Sequence, residues 1–154
     1  MKKMLEMEGI LSHEIDSVWE KVSPMLNKAL RYSFGKYTTE SIREFLKGEQ
    51  MQLWVGIDYY EIRAFTITQI VNYPGKKILI IMFAGGSDLS GWLSYIEILK
   101  RFAKKKGCDG IEIYGRNGWV KKLKPFGYVH IHNVYRQELS GAHRHAKDMD
   151  QKRI

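Results

Sequence analysis

ILIIMFAGGSDLSGWLSYIEILKRFAKKKGCDGIEIYGRNGWVKKLKPFGY, residues Ile78 to Tyr128, is the stretch whose reading decides the fold. Ile78 to Phe83 is an unbroken apolar run, the pattern of a strand covered on both faces, parallel or central in its sheet. Gly85-Gly86 ends that strand, and Ser87 or Asp88 caps a helix on which Leu89, Trp92, Leu93, Ile96, Leu99, Phe102 and Ala103 recur at three and four. Lys100, Arg101, Lys104, Lys105 and Lys106 suit the negative end of that helix, and Gly107 stops it. Gly110 to Tyr114 returns as a second strand, which makes a βαβ unit. Ligands of such units dock at the carboxyl ends of the strands, where a glycine turn and a helix start leave N–H groups unpaired for an anion.

Working outward, Met1 to Leu11 reads as an extended lead-in with its own short strand. Ser12 caps a helix carrying Ile15, Val18, Trp19 and Val22, and Ser23-Pro24 either kinks it or restarts it over Met25 to Tyr32. Thr38 or Thr39 caps a further helix, Glu40 to Lys47, with Gly48 as its stop. From Met51 the period changes to that of strands. Met51 to Ile57, a turn at Asp58 to Glu61, Ile62 to Tyr73 and the turn Pro74 to Lys77 give an antiparallel meander leading into Ile78. Tyr128 to Leu139 alternates as a last strand at or near an edge, and Ser140 to Ile154 reads as a mobile basic tail. One domain over 1–139 and a tail over 140–154 follow.

The chain has 154 residues, 44% of them hydrophobic and 27% charged, a globular composition. No run is long and apolar enough for a bilayer and no signal segment opens the chain, so a cytoplasmic protein with no membrane partner is expected. The single cysteine, Cys108, forms no internal disulfide and is expected as a small residue at a strand start. The net charge of +8 admits an acidic partner, but Lys104 to Lys106 and Arg116, Lys121, Lys122 and Lys124 lack interleaved aromatics and read mainly as solvated faces. His130 and His132, and again His143 and His145, are spaced like ligand pairs without a third ligand, so no metal is assigned. Trp19, Trp54, Trp92 and Trp119 read as core anchors, with the wall of a ligand site as the alternative for Trp119. Arg116, beside Gly115 and Gly118, is placed either to hold phosphate or carboxylate or to form a salt bridge to a nearby acid.

Helices, a meander, then a βαβ unit closing on a glycine-aromatic pair is an order that resembles the GNAT (Gcn5-related N-acetyltransferase) superfamily. The pieces MQLWV, Gly85-Gly86, GCDGIEIYGRNGW and FGY look like those of short GNAT-like proteins of tailed bacteriophages and prophages. The resemblance covers Glu14 to Leu139. It implies a single α/β (α+β) domain, a mixed twisted sheet of six or seven strands with helices on both faces. It implies acetyl-CoA or CoA as cofactor, with pantetheine in a splay between Ile78–Phe83 and Gly110–Tyr114 and pyrophosphate on the turn from Gly85 to Gly91. The donor-binding residues are then Phe83, Ala84, Gly85, Gly86, Ser87, Ser90, Gly91, Arg116 and Trp119.

Two departures from the family pattern stand out. Asp88 places an acid, and Leu93 a bulky side chain, where the pyrophosphate turn has other residue types. Counted back from Gly127-Tyr128, the family's tyrosine acid falls on Leu123 and its asparagine on Arg116. With no proton on Leu123, Tyr114 is the candidate acid, and Glu112, with Glu61 as alternative, the candidate base. The expected activity is transfer of an acyl group to an amine acceptor. The alternatives are a catalytically reduced phage-type binding or virion-associated module and, more weakly, a nucleic-acid binder. Expected partners are accordingly acyl-CoA and an amine, with a virion component, a nucleic acid or a second copy of the chain as alternatives.

Overall fold

The computed structural model describes residues 5–86, 92–115, 118 and 120–140. The chain divides into two compact units, Met1–Tyr114 and Gly115–Ile154.

The first unit contains β1 (Glu6–Ile10), a 3-10 turn at Ser12–Glu14, α1 (Ile15–Ala29), a 3-10 turn at Leu30–Ser33, α2 (Thr39–Lys47), β2 (Gln52–Asp58), β3 (Glu61–Asn72), β4 (Lys77–Gly86), α3 (Trp92–Lys105) and β5 (Gly110–Ile113). The strands form one open sheet in the order β1-β2-β3-β4-β5. Neighbours from β1 to β4 are antiparallel and β4–β5 is parallel, so the sheet is mixed. Among the described residues it has five strands, which corrects the expected six or seven.

Helices cover both faces. On one face Ile15, Trp19, Val22 and Leu26 of α1 and Ile42 and Leu46 of α2 join Val55, Phe65, Ile67, Ile78 and Ile80 in one apolar cluster. On the other, Phe102 of α3 meets the Trp54 ring edge-on at 5.0 Å, and the Trp54 indole N–H donates to Thr68 Oγ1 at 3.0 Å. Trp19 and Trp54 are thus core anchors. The side chain of Trp92 and all of Trp119 lie outside the described residues.

Local rules account for most boundaries. Thr38 caps α2, its Oγ1 accepting from the Ser41 N–H at 3.0 Å while Ser41 Oγ accepts from the Thr38 N–H at 2.9 Å. Gly107, at φ +78, takes the left-handed turn that stops α3. Pro24 does not break or restart α1, which runs unbroken. Its missing N–H leaves one carbonyl to water on an exposed side of the helix, at about 3 kcal/mol. Val22 and Leu26, both 0% exposed, hold the two halves to the sheet at about 1.5–3 kcal/mol each, enough to offset it. Helix start is also displaced from Ser12 to Ile15, because the Glu14 carboxylate accepts from the Leu11 N–H at 3.1 Å and closes a 3-10 turn first.

The second unit holds α4 (Val120–Leu123), a 3-10 turn at Lys124–Phe126 and Gly127 at φ +87. The last strand expected over Tyr128 to Leu139 is not found: no strand is assigned there. Val129, Ile131, Val134, Tyr135 and Leu139 are all exposed, and their apolar positions fall on both parities of the chain, so no single face is defined for burial. The expected tail, residues 141–154, lies outside the described residues. Among the described residues no helix is long and apolar enough to cross a membrane.

Candidate functional site

The site begins with a mismatch between β4 and β5. Ile78 to Ile81 of β4 pair with Gly110 to Ile113 of β5, and the Tyr114 N–H donates to the Ile81 carbonyl at 3.1 Å as the final rung. Among the described residues, β4 runs on from Met82 to Gly86 paired only on its β3 side. The β3–β4 register passes from Ile67↔Phe83 to Thr68↔Ile81, so Met82 is an extra residue, a bulge that bends β4 where β5 stops. Within this unit the result is a wedge between parallel strands, with backbone donors and acceptors of Phe83, Ala84 and Gly85 presented on one side.

Phe83 is buried at the root of the wedge and meets the Tyr37 ring edge-on at 5.8 Å; Tyr37 in turn meets Phe45 at 6.2 Å. Ala84 and Gly85 are half-buried. Gly85 and Gly86 are not a turn, as the sequence suggested, but the last two residues of β4, opposite Phe65 and Ala64. A Cβ on Gly86 would sit 2.3 Å from the Arg63 carbonyl oxygen at φ +119, and one on Gly85 3.0 Å from the Phe65 ring. Close packing against β3 therefore requires Gly86 before any ligand is considered. Ser87, Ser90, Gly91, Arg116 and Trp119 lie outside the described residues, as does Asp88.

Glu112 and Tyr114 are brought to the same locus. Glu112 pairs with Ile80, whose side chain belongs to the α1/α2 apolar cluster, so Glu112 and Tyr114, two residues on, share that face. Tyr73 has the parity of Val71, which packs on the same cluster, but it precedes Lys77 at the other end of β4 from Tyr114. Glu112 and Tyr37 are half-buried, while Tyr73 and Tyr114 keep 47% and 55% exposure, so the group opens to solvent. Partial burial first, then the fields of Tyr73, Glu112 and Tyr37, push the Tyr114 hydroxyl above its ordinary value of 10.0. It therefore stays protonated at neutral pH, the state an acid needs. Glu61 is instead at the β2–β3 hairpin, paired with Arg63 at 3.3 Å, on the strand whose Ala64 is the partner of Gly86. Sequence reasoning missed Tyr37, because a loop tyrosine carries no spacing signal.

Among the described residues no group of three ligand-type side chains could hold a metal, and His130 Nε2 lies 2.9 Å from Asn133 Oδ1. Cys108 is half-buried beside Lys77 and Asp109, and burial pushes its thiol up, away from the reactive thiolate.

No protein-family model matches the chain, and no curated protein matches it. Solved structures do. A ribosomal-protein-alanine N-acetyltransferase from Brucella melitensis biovar Abortus 2308 superposes with TM-score 0.66 at 9% identity, covering 88% of this chain and 99% of its own. An aminoglycoside acetyltransferase from an uncultured soil metagenomic sample, in complex with sisomicin, gives 0.64 at 12% identity over 88% and 97%. A transcriptional regulator from Bacillus halodurans C-125 gives 0.63 at 12% identity over 88% and 99%. The fold is thus the one found in GNAT acetyltransferases. At these identities the likeness is one of fold, and function has to be argued from the site.

Proposed function

We propose that the chain is an acyl-CoA-dependent N-acyltransferase that acetylates an amine acceptor. The observation that supports it most is the β4–β5 wedge: an extended donor bearing amides can pair with the free edge of Phe83 to Gly85 as an added strand would. The polar edge fits such a group, and a thioester donor supplies an activated acyl group there. Phe83, Ala84, Gly85 and Gly86 line the donor arm; Ser87, Ser90, Gly91, Arg116 and Trp119 complete it in this reading. Glu112 takes the proton given up by the acceptor nitrogen, and Tyr114 Oη holds the proton a departing sulfur needs.

A second reading, a catalytically silent module of the same fold, is favoured by Leu123, which ends α4 at the position the resemblance gives to a tyrosine acid. Titration calorimetry with acetyl-CoA and with CoA separates the two. Saturable binding at about micromolar Kd, weakened roughly tenfold by Arg116→Ala, supports the acyltransferase. No heat up to about millimolar ligand overturns it and leaves the silent module.

A further inference from the structure

We infer that the exposed face of α3, together with the β3–β4 turn, is a docking surface for the phosphate backbone of a nucleic-acid duplex. Lys100, Arg101, Lys104 and Lys105 of α3, and Lys106 just after it, are all exposed. Three hydrogen bonds bring a second basic segment to them: the Lys77 N–H donates to Asp109 Oδ2 at 2.8 Å, the Asp109 N–H to the Lys77 carbonyl oxygen at 2.6 Å, and Lys77 Nζ to the Lys106 carbonyl oxygen. Lys76, one residue earlier and exposed, therefore stands at the same end of α3. The acids on these two segments are engaged: Glu97 lies 3.9 Å from Lys100 Nζ, and Asp109 receives the Lys77 N–H. Among the described residues Lys76, Arg101, Lys104 and Lys105 pair with no carboxylate. The residues outside the described ranges hold three acids, Asp88, Asp148 and Asp150, against seven lysines and arginines, so on balance they add to the positive charge rather than cancel it.

The helix dipole accounts for cations in the last turn of α3 only, and Lys100 and Arg101 lie a turn earlier. Lys100 and Lys104, and beside them Arg101 and Lys105, are one turn apart, about 6 Å at the helical rise, and form two rows on a rigid helix. A duplex carries one charge for about every 1.7 Å of its axis, so each cation in such rows meets a phosphate whatever the sequence. A helix that binds a lipid surface also inserts apolar side chains, and those of α3, Ile96, Leu99 and Ala103, are already buried. Single strands are gripped by stacking successive bases on aromatic rings. No described side chain of α3 is an exposed aromatic, and the turn supplies one ring, Tyr73. Phosphate contacts of this kind position a duplex without reading its bases, so the binding is independent of sequence. It is also independent of the acyltransferase reading, since α3 offers these cations whether or not a thioester binds.

The test is fluorescence anisotropy of the full chain with a labelled DNA duplex of mixed sequence, beside the same strand alone and phosphatidylserine vesicles. The duplex should bind at about 10 μM or tighter in about 50 mM salt, and affinity should fall roughly 10²-fold or more by about 200 mM, the mark of four or more phosphate contacts. Lys104→Glu with Lys105→Glu should weaken the duplex about tenfold or more and flatten the salt dependence. Lys21→Glu with Lys28→Glu changes the net charge equally at exposed positions of α1, on the other face of the sheet, and should stay within about threefold of the native chain. All four side chains are exposed, and circular dichroism checks that both variants fold. Equal losses in the two double variants would assign the binding to net charge and overturn the inference. So would absence of duplex binding, a single strand bound about tenfold tighter than the duplex, or vesicles bound where the duplex is not. Failure of acetyl-CoA to bind in calorimetry would leave the result standing, so the two proposals fail separately.

Discussion

Ile80 and Glu112 stand opposite one another across the parallel β4–β5 ladder, one 2% exposed within the apolar cluster and the other half-buried at its margin. A carboxylate at that position contributes little to packing, since a neighbouring strand residue of any polarity would complete the ladder. Its expected value is chemical. Glu112→Gln should leave acetyl-CoA affinity within about twofold and lower turnover of an amine acceptor by roughly 10²-fold or more. A stopped thiol-release assay beside calorimetry reads both; unchanged turnover would remove Glu112 from the reaction.

Gly86 provides a different kind of test, because its backbone lies against Arg63 and Ala64. Gly86→Ala places a methyl 2.3 Å from the Arg63 carbonyl oxygen at φ +119, and the two strands must separate to admit it. A loss of roughly 2–3 kcal/mol in urea unfolding is expected, together with weaker donor binding as the wedge shifts. Stability unchanged within error would mean that the β3–β4 end is loose enough to move.

The contrast between what was legible and what was not runs through these same residues. The apolar run from Ile78 and the three-four spacing of Ile96, Leu99, Phe102 and Ala103 announce a βαβ unit because period and burial are local properties of sequence. Gly86 is misread as a turn because a glycine needed for close strand approach and one needed for a turn are the same letter. Of the two readings of Pro24 the restart is not found, because the proline's cost is visible in sequence, while the burial of Val22 and Leu26 that outweighs it is tertiary. Tyr128 to Leu139 alternates loosely, but a strand exists only if an edge receives it. Of the site, Glu112 and Tyr114 follow from strand parity, whereas Tyr37 arrives from a loop.

The β2–β3 hairpin carries a conflict between turn and sequence. Its loop residues Tyr59 and Tyr60 have φ +48 and +66, the left-handed pair that such a turn favours and that Asn-Gly adopts at low cost. Tyr60 is fully exposed, so its side chain recovers little by packing. Tyr60→Gly should raise stability by about 1 kcal/mol, measured as a higher urea midpoint with unchanged m-value. A loss instead would show that the Tyr60 ring is held by a contact worth more than the strain.

Tyr114 makes a pH-dependent prediction whose sign is fixed by the direction of its shift. Partial burial, then Tyr73, Glu112 and Tyr37, raise its hydroxyl above 10.0 in the folded chain, so the unfolded chain loses that proton first as pH rises. The stability it contributes is complete below the ordinary value and declines as pH climbs from there through the raised folded value. Urea unfolding of the native chain and of Tyr114→Phe should therefore differ by a constant amount below about pH 9 and converge on, or cross, one another above about pH 10, with the native chain falling faster. Parallel curves across that range would mean that Tyr114 titrates as a free phenol, and its place as the retained proton donor would go with it.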